Sequence, residues 1–361
     1  MKKRTVLRVL LALLVLVMAL PLLPALAEEE APYLGDLNGD KVTTAADAAA
    51  MLRGIAFGRL SEEARPDLDF TKNGEIDGND ARAALYYACG AITDLVAFGE
   101  RVSSGLCDER LFDRFSYAGT QNDGRGNYRS ENIAISVITG RYEGSNYYLA
   151  EIYVQDIVSI TTAFGGGAFR GAAETVRAMF DAVDGAIIAI NGDFYSLHLR
   201  GPVIRNGVSY VSSITRDWDI GVLYANGELK TYEIRELTQE MLEDASAYQS
   251  WVFGPALLDA EGKAKTKFRS NVQPANPRSV IGYYEPGHYA FLTVDGRNSE
   301  SKGLTMAELS ALCEQLGFTG AYNLDGGRSS VLQAQGGPIN DPYRDGRPIS
   351  DIIAVREIPQ G

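Results

Sequence analysis

The distribution of apolar residues predicts a chain in which β-strands dominate from about residue 132 onward. Short apolar runs bounded by Gly or Asn are typical of strands, and they recur at residues 133–138, 147–154, 186–190, 280–284 and 289–294. The third of these runs is apolar at every position, which is typical of a strand buried on both faces. We therefore expect a sheet-based domain with a well-covered core.

An amphipathic helix is predicted between the last of these strands and a further apolar run at residues 320–324. Thr305 and Glu308 form a capping box at its start, and Gly317 lies where a C-terminal cap belongs. One face of the helix is apolar, with Met306, Leu309, Leu312, Cys313 and Leu316. A strand–helix–strand unit with short connections places its two strands parallel. The expected fold is therefore α+β or mixed α/β, with a mixed, partly parallel sheet.

Acidic residues follow three of the predicted strands. Asp193, Asp295 and Asp325 each lie within three residues of a strand end and beside a glycine. Open α/β sheets bind ligands outside the carboxyl ends of their strands, so we expect these acids to share one site. Turn chemistry alone would also place Asp and Gly at strand ends, but the threefold recurrence favours a site.

The turn after Asp325 has the composition of an anion-binding site. Gly326 and Gly327 tolerate positive φ, which lets successive amide groups point into one concavity. A guanidinium and two hydroxyl donors follow, from Arg328, Ser329 and Ser330. An acid beside such a turn predicts hydrolysis of a charged substrate; the alternative is a plain loop between core strands, closed by an Asx-turn.

Two further side chains are predicted near the same pocket. Arg278 follows Pro277, which restricts the local backbone, so its guanidinium would act as a rigid anion clamp; a surface ion pair is the alternative. His198 closely follows the segment that ends at Asp193, and we expect it to line the pocket. The chain has two histidines, too few for a three-histidine metal site. It also lacks a Gly-x-Ser-x-Gly element, which argues against a Ser-His-Asp hydrolase.

Residues 1–27 have the pattern of a secretory signal. Basic residues precede an apolar run at residues 9–20, and residues 25–27 fit a small-x-small cleavage site. The run is short for a membrane span, so cleavage is favoured over an uncleaved anchor. No later stretch of the sequence is long and apolar enough to span a membrane. We therefore expect a secreted protein with no membrane span after signal cleavage.

Charge limits the partners that the chain can bind. Removing a leader with four basic and no acidic residues takes the net charge from −13 to −17. Such a chain repels nucleic acid and anionic surfaces, so an anionic substrate must be held by local Arg and amide groups. Three cysteines are too few for a disulfide framework. Either Cys89 pairs with Cys107, or all three cysteines, with Cys313, are buried thiols.

A duplicated motif occupies residues 33–90. Oxygen-bearing side chains recur at loop positions 1, 3, 5, 9 and 12, the spacing that surrounds a calcium ion. They are Asp36, Asn38, Asp40, Thr44 and Asp47 in the first copy, and Asp69, Thr71, Asn73, Asp77 and Asp80 in the second. An apolar helical stretch follows each loop, at residues 48–56 and 81–88. The repeat predicts a small all-α module with two calcium sites; two unrelated acidic turns are the alternative.

This small module resembles a type I dockerin. The resemblance implies one calcium ion for each loop–helix half and a cohesin-bearing scaffold protein as the partner. Asp47 and Asp80 match the position-12 ligand of that family, whereas Lys41 stands where Gly is usual and Thr71 is a poorer ligand than Asn or Asp. We assign residues 91–130 to a linker or the start of the catalytic module, and residues 131–361 to a catalytic domain.

Residues 133–358 resemble the phosphodiester glycosidase family. Seven short segments in matching order carry the resemblance, at residues 189–195, 203–207, 253–257, 276–279, 294–297, 323–330 and 347–351. Arg328 stands where the family usually has Gly. The resemblance implies hydrolysis of a sugar-1-phosphodiester, with the substrate an extracellular or cell-surface glycan or a sugar phosphate.

Under this resemblance the acids are assigned to catalysis and the basic residues to the phosphate. Asp325, Asp295 and Asp193 are the catalytic candidates, as base, nucleophile or stabiliser of positive charge at the anomeric carbon. The substrate- and phosphate-binding candidates are Asn191, His198, Arg278, Arg297, Asn323, Gly326, Gly327, Arg328, Ser329 and Ser330. A further structural calcium held by some of these acids is left open. So are two other functions, a non-catalytic glycan-binding subunit and a plain glycoside hydrolase.

Overall fold

The computed structural model describes residues 35–38, 40–61, 63, 65–90, 92, 94–96, 98–99, 105–198, 201–214, 217–244 and 246–358. The leader predicted at residues 1–27 lies outside this range. The described residues divide into two compact units, a smaller one within residues 1–104 and 117–119 and a larger one within residues 105–116 and 120–361. Within the described residues, no helix is both long and apolar enough to cross a membrane.

The smaller unit contains two loop–helix halves. Helix α1 (Ala45–Ala56) begins at the cap Thr44, and helix α2 (Gly78–Ala88) begins at the cap Asp77. In each helix the third residue, an Asp, closes a capping box with the cap backbone. The helices therefore begin three residues earlier than their apolar stretches predict. Small apolar side chains on both helices are buried where they pack on each other, among them Ala48, Met51, Ala81 and Ala84.

The larger unit contains seventeen strands and four α-helices among its described residues. The strands are β1 (Gln121–Asn122), β2 (Tyr128–Arg129), β3 (Ile133–Tyr142), β4 (Ser145–Val154), β5 (Ile160–Phe164), β6 (Ala186–Asn191), β7 (Val203–Arg205), β8 (Val208–Val211), β9 (Ile220–Tyr224), β10 (Leu229–Tyr232), β11 (Ala247–Trp251), β12 (Arg278–Glu285), β13 (His288–Val294), β14 (Gly320–Asn323), β15 (Leu332–Ala334), β16 (Gly337–Pro338) and β17 (Asp351–Arg356). The helices are α3 (Val176–Asp181), α4 (Tyr195–His198), α5 (Gln239–Asp244) and α6 (Met306–Gln315).

Two sheets form the body of this unit. The larger has seven strands in the order β1-β2-β3-β4-β13-β12-β14, and the second has five in the order β16-β15-β6-β17-β5. A three-stranded sheet, β10-β9-β11, and the hairpin β7-β8 complete it. The predicted apolar runs therefore form strands, but they are distributed over two main sheets.

The parallel pairing expected from the sequence is wrong. Every strand pair among the described residues is antiparallel. Strands β13 and β14 do run in the same direction, but β12 lies between them and pairs with both. Helix α6 thus carries the chain over an intervening strand that precedes both in sequence, which the strand–helix–strand pattern does not reveal.

The core lies between the seven-stranded and five-stranded sheets. Ile152, Phe291 and Tyr322 of the first sheet pack with Ile190 and Ile353 of the second, and all five are fully buried. Helix α6 covers the other face of the larger sheet, and helix α3 covers the other face of the smaller one. The unit therefore has four layers, helix on sheet on sheet on helix.

Helix α6 confirms the helix signals of the sequence. Thr305 caps it, Glu308 completes the capping box, and Gly317 adopts φ +82° just after its end. Helix α3 begins after its cap Thr175, whose side chain accepts a hydrogen bond from the Ala178 amide. The cysteine prediction holds only in part, since all three thiols are free and Cys89 is exposed.

Candidate active site

Asp325 is held in a closed triangle of hydrogen bonds. Its Oδ2 accepts from Ser329 Oγ at 2.5 Å and from Arg347 Nη2 at 2.7 Å. Arg347 Nε also donates to Ser329 Oγ, at 2.7 Å. The carboxylate lies just beyond the end of β14, and its side chain keeps 8% of its surface exposed. Asp325 is therefore fixed in orientation while still reaching the surface.

Opposing influences act on the ionisation of Asp325. Burial raises the pKa of this carboxyl above its ordinary value, and this is the largest influence. Hydrogen bonding by Ser329 and the charge of Arg347 lower the pKa, as does the amide of Gly326. Arg347 in turn lies over the ring of Phe194, 4.7 Å from its centroid.

The glycine pair allows close approach of chain segments. A side chain on Gly326 would meet the carbonyl oxygen of Pro277 at 2.8 Å, and one on Gly327 would meet Arg297 at 3.4 Å. The Gly327 amide donates to Pro277 O at 2.8 Å. Gly327 adopts φ +65°, as predicted for this turn. Its amide, however, bonds within the protein and does not point into an open concavity.

Asn191 connects the two sheets beneath this turn. Its Nδ2 donates to Asp325 O at 2.7 Å, and its Oδ1 accepts from Ser279 Oγ at 2.7 Å. The same oxygen accepts from Val331 N at 3.3 Å. Asn191 ends β6 of one sheet, whereas Ser279 belongs to β12 of the other. The described geometry therefore gives Asn191 the role of positioning the Asp325 backbone.

Asp193 belongs to a buried ionic network. Its Oδ1 accepts from Arg205 Nη2 at 2.9 Å, and its Oδ2 accepts from Val252 N at 2.8 Å. Arg205 Nε donates to Asp351 Oδ2 at 2.9 Å, and the three side chains are at most 2% exposed. Burial raises the pKa of Asp351 to about 6, and the nearby charges of Asp193 and Asp325 act in the same direction. These contacts give Asp193 a structural role in the buried network.

Asp295 lies at the same sheet edge as Asp325. The start of β12 pairs with the ends of both β13 and β14, which these acids follow. Asp295 Oδ1 accepts from Asn340 Nδ2 and from Asp341 N, both at 3.1 Å. Burial raises its pKa. Asn340 also donates to Ser330 O at 3.2 Å, so it connects Asp295 to the turn that follows Asp325.

Arg278 is enclosed by backbone carbonyls. Its Nη2 donates to Val272 O at 2.7 Å and Pro274 O at 2.6 Å, and its Nε donates to Leu304 O at 2.9 Å. Burial, together with the charge of Arg297, lowers its pKa to about 10. Neither of the two predicted environments, an anion clamp or a surface ion pair, matches this arrangement. It favours a structural role.

Arg297 and Arg328 remain at the surface of the site. Arg297 Nε donates to Asn276 Oδ1 at 3.0 Å, and its guanidinium lies 5.3 Å from the ring centroid of Tyr343. Arg328 Nη2 contacts Arg344 O at 3.4 Å. Both side chains are exposed, so both guanidinium groups are available to a ligand.

The remaining predicted residues differ in their environments. Asn323 Nδ2 donates to Gly254 O at 2.7 Å. Asn323 Oδ1 and Ser330 Oγ are buried and have no hydrogen-bond partner in the described part of the chain. His198 ends α4, and its side chain lies outside the described residues. Its predicted place in the pocket stays a prediction.

Residues 184–356 match the family model described as phosphodiester glycosidase. The resemblance seen in the sequence is confirmed. Residues 34–83 match the model described as dockerin type I domain. The chain therefore combines a region similar to dockerin type I domains with a region similar to phosphodiester glycosidases, which is called the glycosidase domain below.

Individual proteins similar to this region are distant in sequence. A prophage-derived uncharacterized protein of Bacillus subtilis is 29% identical over 184 residues, which cover 47% of this chain and 28% of that protein. The solved catalytic domain of the zebrafish N-acetylglucosamine-1-phosphodiester α-N-acetylglucosaminidase, auto-inhibited by its pro-peptide, is 21% identical with a TM-score of 0.49. That match covers 63% of this chain and 83% of the other. A hypothetical protein from Synechocystis matches at 15% identity and a TM-score of 0.43, over 62% of each chain.

The dockerin-like loops have the turn that a calcium loop needs. At the sixth position, Lys41 adopts φ +70° and Gly74 adopts φ +86°. The amide of Lys41 donates to Asp36 Oδ2 at 2.7 Å, and that of Gly74 to Asp69 Oδ2 at 3.0 Å. The oxygen donors and the turn therefore fit calcium, although no three acidic, His or Cys side chains of the described residues converge as a metal cluster. The further structural calcium left open for the glycosidase domain stays a prediction.

Three residues that complete the hydrogen-bond networks of Asp325 and Asp193 are not among the predicted site residues. Arg205, Arg347 and Asp351 lie inside segments that carry the family resemblance, yet no role was assigned to them. Their partners are distant in sequence, since 146 residues separate Arg205 from Asp351. An Arg or Asp in a short motif indicates a candidate site residue. Its hydrogen-bond partner, however, is known only from the folded structure.

Proposed function

We propose that the glycosidase domain hydrolyses sugar-1-phosphodiesters, with Asp325 as the carboxylate that faces the anomeric carbon. The observation that carries this proposal is the triangle of Asp325, Ser329 and Arg347, which orients one carboxylate beside exposed arginines. The coarser assignment, a glycosidase-type hydrolase, rests on the match of residues 184–356 to the family.

The reaction needs little acid assistance because phosphate is a good leaving group. The bond between the anomeric carbon and the phosphate oxygen breaks, water adds its hydroxyl to the sugar, and a phosphate monoester leaves with the remaining proton. Positive charge develops at the anomeric carbon in the transition state. The carboxylate form of Asp325, which the charge of Arg347 favours, stabilises that charge, while guanidinium groups at the site hold the phosphate.

The other predicted acids have supporting roles in this proposal. Asp295 is the second catalytic candidate because it lies at the same sheet edge, connected through Asn340 to the turn. Asp193 is proposed as a structural anchor because hydrogen bonds from Arg205 and the Val252 amide occupy both of its oxygens.

The direct test is hydrolysis of UDP-N-acetylglucosamine and related sugar-1-phosphodiesters by the wild-type protein and by Asp325→Asn. We expect release of free sugar from the wild type and a loss of at least about a hundredfold in the variant, because the amide cannot stabilise the developing charge. Asp184→Asn is the matched control, since Asp184 is an exposed acid of the same domain. Full activity of Asp325→Asn would remove Asp325 from catalysis.

Two competing functions give different results in the same assay. A glycan-binding subunit would bind a sugar phosphodiester without turnover, and Asp325→Asn would bind it equally well. A plain glycoside hydrolase would cleave a phosphate-free aryl glycoside as fast as the phosphodiester. The exposed arginines beside Asp325 favour the phosphodiester.

We further infer that the dockerin-like module attaches the enzyme to a cohesin-bearing scaffold outside the cell. The observations that support this are the duplicated loops with their shared turn and the match of residues 34–83.

Asp36→Ala combined with Asp69→Ala should abolish calcium-dependent binding to a panel of cohesins, because each substitution removes the first oxygen donor of one loop. Glu75→Gln is the control, since Glu75 is an exposed loop residue whose side chain is not one of the predicted ligands. Binding that persists in the double variant would contradict the inference.

A further inference from the structure

Three arginines near the Asp325 turn have no acidic partner among the described residues. No carboxylate of the described residues lies within ion-pair distance of Arg297, Arg328 or Arg344. All three are exposed, in a chain whose net charge is −13. In so acidic a protein, unpaired guanidinium groups gathered at one place point to an anionic ligand.

Two of these arginines lie over the same aromatic ring. The guanidinium carbons of Arg297 and Arg344 lie 5.3 Å and 5.1 Å from the ring centroid of Tyr343. Arg328 Nη2 contacts Arg344 O at 3.4 Å. Arg297 also lies against Gly327, so this arginine–tyrosine platform adjoins the Asp325 turn.

The backbone of the platform is strained. Arg297 adopts φ +62° and Arg344 φ +53°, the left-handed region that non-glycine residues rarely occupy. Asp345 follows with φ +56°. Such conformations persist where the surrounding structure over-determines them, and they concentrate at ligand sites. Positioning these guanidinium groups is a reason for the strain.

The charge on the platform exceeds what the scissile phosphate needs. A phosphodiester carries one negative charge, whereas the platform contributes three guanidinium groups, without counting Arg347, whose charge is paired with Asp325. Among the described residues, none of these three groups pairs with a carboxylate, so their charge exceeds that of one phosphodiester. The exposed acids of the same loops, Asp341 and Asp345, form no ion pair with them in the described structure. The surplus of positive charge fits a second phosphate.

We propose that the platform of Arg297, Arg328, Arg344 and Tyr343, besides holding the scissile phosphate, forms a subsite for a second phosphate group, on the leaving-group side of the scissile bond. The inference rests on the proposed function and adds the substrate class, a sugar-1-phosphate whose leaving group carries another phosphate. Two sources share this chemistry: a diphosphate bonded directly to the sugar, and the next repeat of a sugar-phosphate polymer.

A second basic region of the domain does not fit this role. Lys265, Lys267 and Arg269 line a cavity of about 450 Å³ together with Asp219 and Glu233. Lys265 pairs with Glu233 at 2.6 Å, so the cavity is partly neutralised by its own acids. This region supplies a control, because Arg269→Gln removes the same charge away from the platform.

The test compares kcat/KM for two substrates, UDP-N-acetylglucosamine and the methyl phosphodiester of N-acetylglucosamine-1-phosphate. We expect Arg344→Gln to lower the ratio of the first to the second by about tenfold, as expected for loss of one charge-assisted contact. Arg269→Gln should leave the ratio unchanged. An unchanged ratio in Arg344→Gln would overturn the subsite. A short polymer of sugar-1-phosphodiester repeats that loses kcat/KM in Arg344→Gln would identify the next repeat as the source.

A binding measurement separates this inference from the proposed function. Calorimetric titration with inorganic pyrophosphate should give binding that weakens about tenfold in Arg344→Gln and in Tyr343→Ala, with Tyr343→Phe close to wild type because the ring is kept. If no substrate is hydrolysed but pyrophosphate binds with this dependence, the reaction is wrong and the subsite stands. If pyrophosphate binds equally to all variants, or to none, the subsite is wrong whatever the activity.

Discussion

At the scale of single residues, the ionisation of Asp325 connects its environment to activity. Burial raises the pKa of Asp325, and Arg347 counteracts this effect. In Arg347→Gln the opposing charge is lost, so the pKa rises further. Because the proposed mechanism needs the ionised carboxylate, the acidic limb of kcat/KM should move to higher pH, by about one unit or more. The measurement is a pH–rate profile on a sugar-1-phosphodiester.

Ser329→Ala provides the control for this shift. It removes one hydrogen bond to Asp325 Oδ2 but no charge. We expect a movement of the acidic limb in the same direction and of smaller size. An acidic limb that stays in place in both variants would show that the limb belongs to a different group.

Loss of Arg205 should strongly destabilise the larger unit. Arg205 is fully buried and pairs with both Asp193 and Asp351. Arg205→Met would leave two buried carboxylates without their cation, and breaking such a network costs about 3–5 kcal/mol in the free energy of unfolding. The measurement is urea unfolding followed by tryptophan fluorescence, since Trp218 and Trp251 are the chain's two tryptophans and both lie in this unit.

Arg177→Met is the comparison for that experiment. Arg177 pairs with Asp181 on the exposed side of α3, with both side chains about half exposed. Such surface pairs contribute about 0–1 kcal/mol. Equal destabilisation by the two substitutions would contradict the structural role given to the buried network.

At the scale of elements, the sequence predicted features set by neighbouring residues better than the pairing of distant strands. The capping box of Thr305 and Glu308 gave the start of α6 because its hydrogen bonds join residues three apart. The pairing of β13 and β14 with β12 was not predictable, because hydrophobic pattern carries no information on which strand lies between two others. The common edge of Asp295 and Asp325 was nevertheless found, since it depends only on strand direction.

Some residues of the site were predictable from the sequence and others were not. The sequence marked Asp325 and Ser329 because an acid and a glycine-rich turn follow a strand. It did not mark Arg347, whose contact with Asp325 spans 22 residues. The environment of Arg278 was not predictable, because a preceding proline fixes the backbone but does not indicate which groups surround the side chain. In the structure those groups are backbone carbonyls.

The first calcium-type loop provides a test of strain within an element. Lys41 adopts φ +70° where the second loop has Gly74. The left-handed conformation costs a non-glycine residue about 1–2 kcal/mol, so Lys41→Gly should stabilise the smaller unit by about 1 kcal/mol. Gly74→Ala should destabilise it by a similar amount. The measurement is chemical unfolding in saturating calcium, followed by circular dichroism; opposite signs from those expected would show that φ does not limit either loop.

At the scale of the whole molecule, two functions are assigned to two units. The calcium-type oxygen donors lie between residues 36 and 80, whereas the triangle of Asp325, Ser329 and Arg347 belongs to the other unit. Removing calcium should therefore abolish binding to a cohesin while sugar-1-phosphodiester hydrolysis is retained. The reason is that metal binding supplies folding free energy only to the unit that contains the ligands.

The experiment measures both functions in one sample, with and without a chelator, and restores calcium at the end. Recovery of cohesin binding on restoring calcium would show that the loss was reversible and specific to the metal. Because the Asp325 site depends on hydrogen bonds from Ser329 and Arg347, its turnover should stay within about twofold of the untreated value. A parallel loss of hydrolysis would mean that the dockerin-like loops also support the site, and the division of function between the units would then be wrong.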